Sequence, residues 1–283
     1  MEQLPKPQQN IPASITKTAQ ILEKLSYKLA TEFAYKLFVT PIRHKMPARE
    51  EKMEKQSVQK FVHIPSIDRN ICVYEYGQSE RKALLVHGWS GRGTQLVSVA
   101  DALLKQGYMT ISFDGPAHGK SDGKTAHMDM FIRSILELEK QYGKFDIVIG
   151  HSLGGMSVMN ALIRGLKSDK AIIIGAGDVL IDIFQGFVKT LKLKPIIAEK
   201  LKDKVEKKLN SRLVDYDVFR AAQVVNIPVF VIHDKNDKDV PYVCGKHIYK
   251  HLPNGKLLLT EGLGHRRILG DKEVIKEIIN FVK

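Results

Sequence analysis

Cysteine is nearly absent from this chain of 283 residues: Cys72 and Cys244 are the only two. They stand far apart and in no CxxC spacing, which excludes a disulfide framework and a thiolate zinc site. A reducing compartment, the cytoplasm, is the expectation. Long apolar runs are also missing. No stretch reaches 18 residues, so no membrane-spanning helix is expected. The start, residues 1–12, is polar and proline-bearing and lacks a basic patch followed by an apolar core, so no secretory leader is expected. Acidic residues fall short of basic ones, 31 against 44, leaving a net charge of +13. Such a surplus suits nucleic acid, anionic lipid or an anionic substrate. No helix-turn-helix, zinc finger or RNP-like aromatic motif accompanies it. The expectation is a generally basic surface with no specific nucleic-acid partner and a weak association with anionic surfaces. Internal repeats and low-complexity tracts are absent too.

What is present is an ordinary globular composition, 43% hydrophobic and 27% charged, long enough to bury a sizeable core. Residues 13–38 repeat apolar side chains at three- and four-residue spacing, with lysines off that stripe, as one amphipathic helix would. The charged stretch 49–60 reads as a linker or a short exposed helix. From residue 61 the pattern changes. Two short strand candidates, 61–64 and 71–76, form a hairpin. Apolar runs follow at 83–87, 109–113, 145–149, 171–174, 228–232 and 256–259. They are separated by helical patterns at 94–106, 129–142, 153–164, 216–225, 242–250 and 271–282. Near-continuous apolar strands suit a sheet buried on both faces. Their alternation with helices predicts a mostly parallel, eight-stranded, doubly wound α/β sheet. The spacing divides the chain into an N-terminal helical extension, 1–60, and an α/β domain, 61–283. More than 50 residues separate the strands at 171–174 and 228–232. That is too many for one crossover helix, and it predicts a helical insertion over about 178–215, above the sheet edge where such folds bind ligands. Its many lysines, interleaved with Phe, Leu and Ile, read as an amphipathic lid.

The chemistry gathers at strand ends. Gly150-His-Ser-Leu-Gly154 lies between a strand and a helix candidate, where two glycines permit the sharp turn that lifts Ser152 to a helix N-terminus. A neutral serine hydroxyl needs a base. His265, in the glycine-rich turn after the last strand, is the candidate. A carboxylate must orient that imidazole. The loop after 228–232 offers Asp237, flanked by Asp234 and Asp239, and Asp178 follows the preceding strand. His87, His118 and His151 read as structural supports. Asp234–Asp239 lacks the glycine and glutamate of a calcium loop. Gly175-Ala-Gly177 lacks the third glycine of a dinucleotide fingerprint.

The serine motif, the His87-Gly-Trp89 turn, the segment Phe113-Asp-Gly-Pro-Ala-His-Gly-Lys-Ser121 and Gly262-Leu-Gly-His265 come in a chain order that resembles the α/β-hydrolase superfamily, over about residues 61–283. The resemblance implies an esterase- or lipase-like serine hydrolase without cofactor or metal, acting on a small acyl substrate. Ser152 would be nucleophile, Asp237 acid and His265 base, with the backbone N–H groups of Leu153 and Trp89 as oxyanion hole. Thioesterases, amidases, peptidases and C–C bond hydrolases share this triad, and a ligand-binding protein on the same fold is a further alternative.

Overall fold

The computed structural model describes residues 11–283; most of the polar start read above as leaderless lies outside them. The helices are α1 (Ala13–Leu25), α2 (Tyr27–Val39), α3 (Glu51–Gln56), α4 (Val97–Leu104), α5 (Met128–Tyr142), α6 (Leu153–Leu162), α7 (Leu180–Thr190), α8 (Ile196–Leu209), α9 (Val218–Ala222), α10 (Val243–His251), α11 (Gly264–Arg267) and α12 (Lys272–Val282). The strands are β1 (Val58–Ile64), β2 (Arg69–Tyr76), β3 (Lys82–Val86), β4 (Met109–Phe113), β5 (Phe145–His151), β6 (Ser168–Ile174), β7 (Val229–Asp234) and β8 (Gly255–Thr260). They form one sheet in the order β1-β2-β4-β3-β5-β6-β7-β8. β1 and β2 pair antiparallel, as do β2 and β4; every other pairing is parallel. The expected eight-stranded doubly wound fold is therefore present.

Alternation along the strands builds two cores. Leu84, Val86, Val148, Ile173 and Val231 face one side, packing with residues of α2, α5, α6, α7 and α8. Their neighbours Leu85, Ile149, Ile172, Ile174 and Ile232 face the other, packing with α4 and α12. Successive strand residues point to opposite faces, so a sheet covered on both sides needs unbroken apolar runs.

Three elements depart from the sequence expectation. The helix expected over 13–38 is two helices, broken at Ser26, whose backbone is extended (φ −166°, ψ 131°) and whose hydroxyl accepts the Lys28 N–H at 3.2 Å. A serine competing for backbone hydrogen bonds favours such a cap over helix interior. The stretch 49–60 holds the short helix α3 rather than a linker, and that helix is not wholly exposed. Glu50 and Met53 are buried, and Glu50 accepts from the Thr94 hydroxyl at 2.8 Å. β1 begins at Val58, three residues before the apolar signal starts.

The insertion between β6 and β7 contains α7 and α8. α7 packs on α8, and α8 packs on α2. Phe38 of α2 meets Phe184 and Phe187 of α7 edge-on, with ring centroids 4.9 and 5.2 Å apart. The N-terminal helices thus dock on the insertion. Among the described residues no helix is long and apolar enough to cross a membrane.

Candidate active site

Ser152 joins β5 to α6 with φ 53° and ψ −119°, a left-handed conformation unusual for a residue with a Cβ. Close packing holds it there. A Cβ on Gly150 would lie 2.4 Å from the Gly154 carbonyl oxygen, and one on Gly154 would lie 2.2 Å from that of Val86. Both obstacles are backbone, so both positions require glycine. The Ser152 N–H donates to the Ile174 carbonyl at 2.9 Å, tying the turn to the end of β6.

Asp237 and His265, 28 residues apart, meet at the same sheet edge: His265 Nδ1 donates to Asp237 Oδ2 at 2.6 Å. That bond leaves Nε2 as the free ring nitrogen. The other Asp237 oxygen accepts the N–H groups of Asp239 and Val240, each at 2.8 Å. Burial pushes the Asp237 carboxyl up. Hydrogen bonds from His233 and His265, the charge of His265 and the Val240 N–H outweigh it and hold the acid well below the usual carboxylate range.

The other acid candidates have other work. Asp234 accepts from Thr260, Leu263, Gly264 and Asn236, joining the loops after β7 and β8. Asp239 is engaged through its backbone. Asp178 pairs with His247 and accepts the Phe219 N–H.

Sequence reasoning missed His233. It is fully buried, with Nε2 3.0 Å from the Val240 carbonyl and 3.5 Å from Asp237 Oδ2. The one signal was a histidine closing an otherwise apolar strand.

His151 links the serine turn to the base. Its Nε2 donates to the His265 carbonyl at 2.9 Å and its ring centre lies 4.6 Å from that of His265. A Cβ at Gly175, next to Ile174, would lie 3.2 Å from His265 Nδ1. Ser152 is thereby brought to the edge that holds Asp237 and His265. Its hydroxyl makes no hydrogen bond to His265, and such a bond can tighten in the reacting complex.

The loop after β3 closes the other side. A Cβ on Gly88 would lie 3.0 Å from Ser152 Cβ. His87 Nδ1 donates to the Gly88 carbonyl at 2.7 Å, and its Nε2 accepts the Gly115 N–H at 2.8 Å. His118 repeats the arrangement, donating to the Pro116 carbonyl at 2.8 Å and accepting the Ser90 N–H at 3.1 Å. Desolvation lowers both imidazoles, His87 to about 4 and His118 to about 3, so both are neutral braces. The N–H groups of Trp89 and Leu153 meet no acceptor among the described residues, and Leu153 opens α6, where the helix dipole favours negative charge. No group of three or more His, Cys, Asp or Glu among the described residues stands close enough to share a metal ion.

Comparisons with known proteins agree with this architecture. The sequence pattern described as the Alpha/beta hydrolase family matches residues 83–217, just under half of the chain. No curated protein matches by sequence. Among solved structures, the chain is similar to an esterase from Pyrococcus furiosus (19% identity, TM-score 0.67, covering 86% of this chain and 98% of that one). It is similar also to a bromoperoxidase from Bacillus anthracis (18% identity, TM-score 0.61, covering 80% and 99%). A third likeness is to a putative lipase from Acinetobacter baumannii (17% identity, TM-score 0.62, covering 84% and 97%). At these identities the likeness is one of fold.

Proposed function

We propose that the chain, whose residues 83–217 match the Alpha/beta hydrolase family and whose fold resembles those esterases and lipases, is a serine hydrolase of carboxylic esters or related acyl compounds. The observation that carries this reading is the 2.6 Å bond between Asp237 and His265, beside a serine held in a strained turn. Asp237 fixes His265 in the tautomer whose Nε2 is basic. That nitrogen takes the Ser152 proton as Oγ attacks the acyl carbon. The oxyanion is received by the Leu153 and Trp89 N–H groups. Collapse of the tetrahedral adduct expels the leaving group, which takes the proton from His265. Water, deprotonated by the same nitrogen, then releases the acid and restores Ser152.

In this reading residues 61–283 form the catalytic domain, 1–60 its helical extension and about 178–215 its lid, which shapes the acyl pocket. The named activities of the esterase and lipase neighbours favour an ester over a thioester or amide.

The test is a panel of p-nitrophenyl esters and matched thioesters of graded acyl length, with a fluorophosphonate probe. The wild-type chain should turn over esters and be labelled on Ser152. Ser152→Ala, folded by circular dichroism, should do neither. A folded wild-type chain that takes no label would point instead to a ligand-binding protein on this fold.

A further inference from the structure

We propose that the corner between α1 and α2 is a docking surface for an anionic lipid bilayer. Five of the eleven large apolar side chains exposed on the described chain lie here. Leu25 is 71% exposed, Ile21 59% and Leu29 47%, and Tyr27 and Ile196 are exposed as well. Ile21 and Leu25 lie one turn apart on α1, and the break at Ser26 pushes Leu25, Tyr27 and Leu29 into a protruding apex. The helix faces turned the other way are small and buried, with Ala19, Ala30 and Ala34 in the core. The pair is therefore amphipathic, with its inner face in the core and its outer aliphatic side chains Ile21, Leu25 and Leu29 exposed.

The charge around this apex is mostly positive. Lys17, Lys24 and Lys28 flank Ile21 and Leu25 and are exposed, as are Lys192 and Lys194 on the neighbouring loop. That loop is beside α1: the Lys194 N–H donates to Glu23 at 2.7 Å and Lys194 Nζ to the Tyr27 hydroxyl at 3.2 Å. Glu32 is paired with Lys204, and Glu23, which accepts the Lys194 backbone N–H, is one carboxylate against these five lysines. Lysine thus outnumbers acid on the outward rim, within a chain of net charge +13.

Aliphatic side chains ringed by lysine match an interfacial lipid surface, where the apolar group enters the acyl boundary and the ammonium meets phosphate. Nucleic acid rewards the lysines but not a protruding leucine. A second copy would set lysine against lysine. The inference does not depend on the reaction proposed above.

The test is co-sedimentation of the full chain with vesicles of phosphatidylcholine alone and of an equal mixture with phosphatidylglycerol. Binding is expected to the mixture, weakening with salt, and not to phosphatidylcholine. Lys24→Glu with Lys28→Glu should weaken partitioning by more than about tenfold, since each lysine near such a surface is worth roughly fivefold. Leu25→Asp should abolish it, with circular dichroism and thermal unfolding as in the wild type. Equal binding to both vesicles, undiminished binding by Leu25→Asp, or a dimer abolished by Leu25→Asp without vesicle binding would each overturn the proposal.

Discussion

Asp237 is buried yet stays charged, because four hydrogen-bond donors converge on its two oxygens. The same set makes it directional: Oδ1 is filled by backbone and Oδ2 is left for the imidazoles. Asp237→Asn keeps the size but removes the charge that selects the His265 tautomer. In triads of this type that change lowers kcat by ~10⁴-fold with little loss of fold. Ester turnover with a circular dichroism control measures it, and a loss under about tenfold would remove Asp237 from the acid role. Gly154→Ala tests the turn itself, since its new Cβ would meet the Val86 and His87 carbonyls, which cannot step aside. Overpacking typically destabilises by about 1–3 kcal/mol, so a lower urea midpoint is expected. Ser152, His265 and the glycines were legible in sequence because a tight turn constrains residue type. The acid was less so. Asp234, Asp237 and Asp239 share one loop, and only the fold shows that Asp234 is consumed by Thr260, Leu263 and Gly264. His233 was illegible because its role depends on a side-chain contact across the loop.

At the scale of elements, the insertion is held at its two stems by reciprocal caps. Asp178, leaving β6, accepts the Phe219 N–H of α9 at 2.8 Å. Asp217, leading into α9, accepts the Leu180 N–H of α7 at 2.9 Å. Each acid satisfies an orphan donor on the opposite stem, so departure and return are clamped together. Asp217→Ala should cost about 1 kcal/mol. Limited proteolysis within 180–209 should quicken before the sheet unfolds, and an unchanged cleavage rate there would show that the clamp does not hold the insertion. The central strands β3 to β7 were readable from sequence because burial on both faces demands continuous apolar residues. α3 was readable only as one alternative for its charged stretch, and its packing was not, since Met53 is its single apolar residue among charges and its burial comes from α3 packing against β2. The docking of α1 and α2 on the insertion was equally hidden, because it joins segments about 170 residues apart in sequence.

For the molecule as a whole, three buried imidazoles set the response to acid. Desolvation lowers His87 to about 4, and His118 and His151 to about 3, from an ordinary value near 6.5. Each donates through one nitrogen to a carbonyl, and those of His87 and His118 also accept a backbone N–H through the other. A proton on the accepting nitrogen breaks that bond and charges the interior. Between pH 6.5 and about 4 the unfolded chain binds these protons and the folded chain does not, so stability is full above 6.5 and falls as pH falls. For His87 alone the loss by pH 4 is roughly 3 kcal/mol. Asp237, held low, loses its contribution only further into acid, so the histidines act first. The urea midpoint should therefore fall steadily from pH 7 to pH 5. Trp89, the single tryptophan, lies edge-on to His118 at 5.2 Å and reports this loop by fluorescence. His118→Gln keeps an acceptor for the Ser90 N–H but cannot take the proton. It should flatten the pH slope while leaving the midpoint at pH 7 near that of the wild type. A wild-type midpoint that is constant from pH 7 to pH 5 would show that these histidines do not govern acid stability.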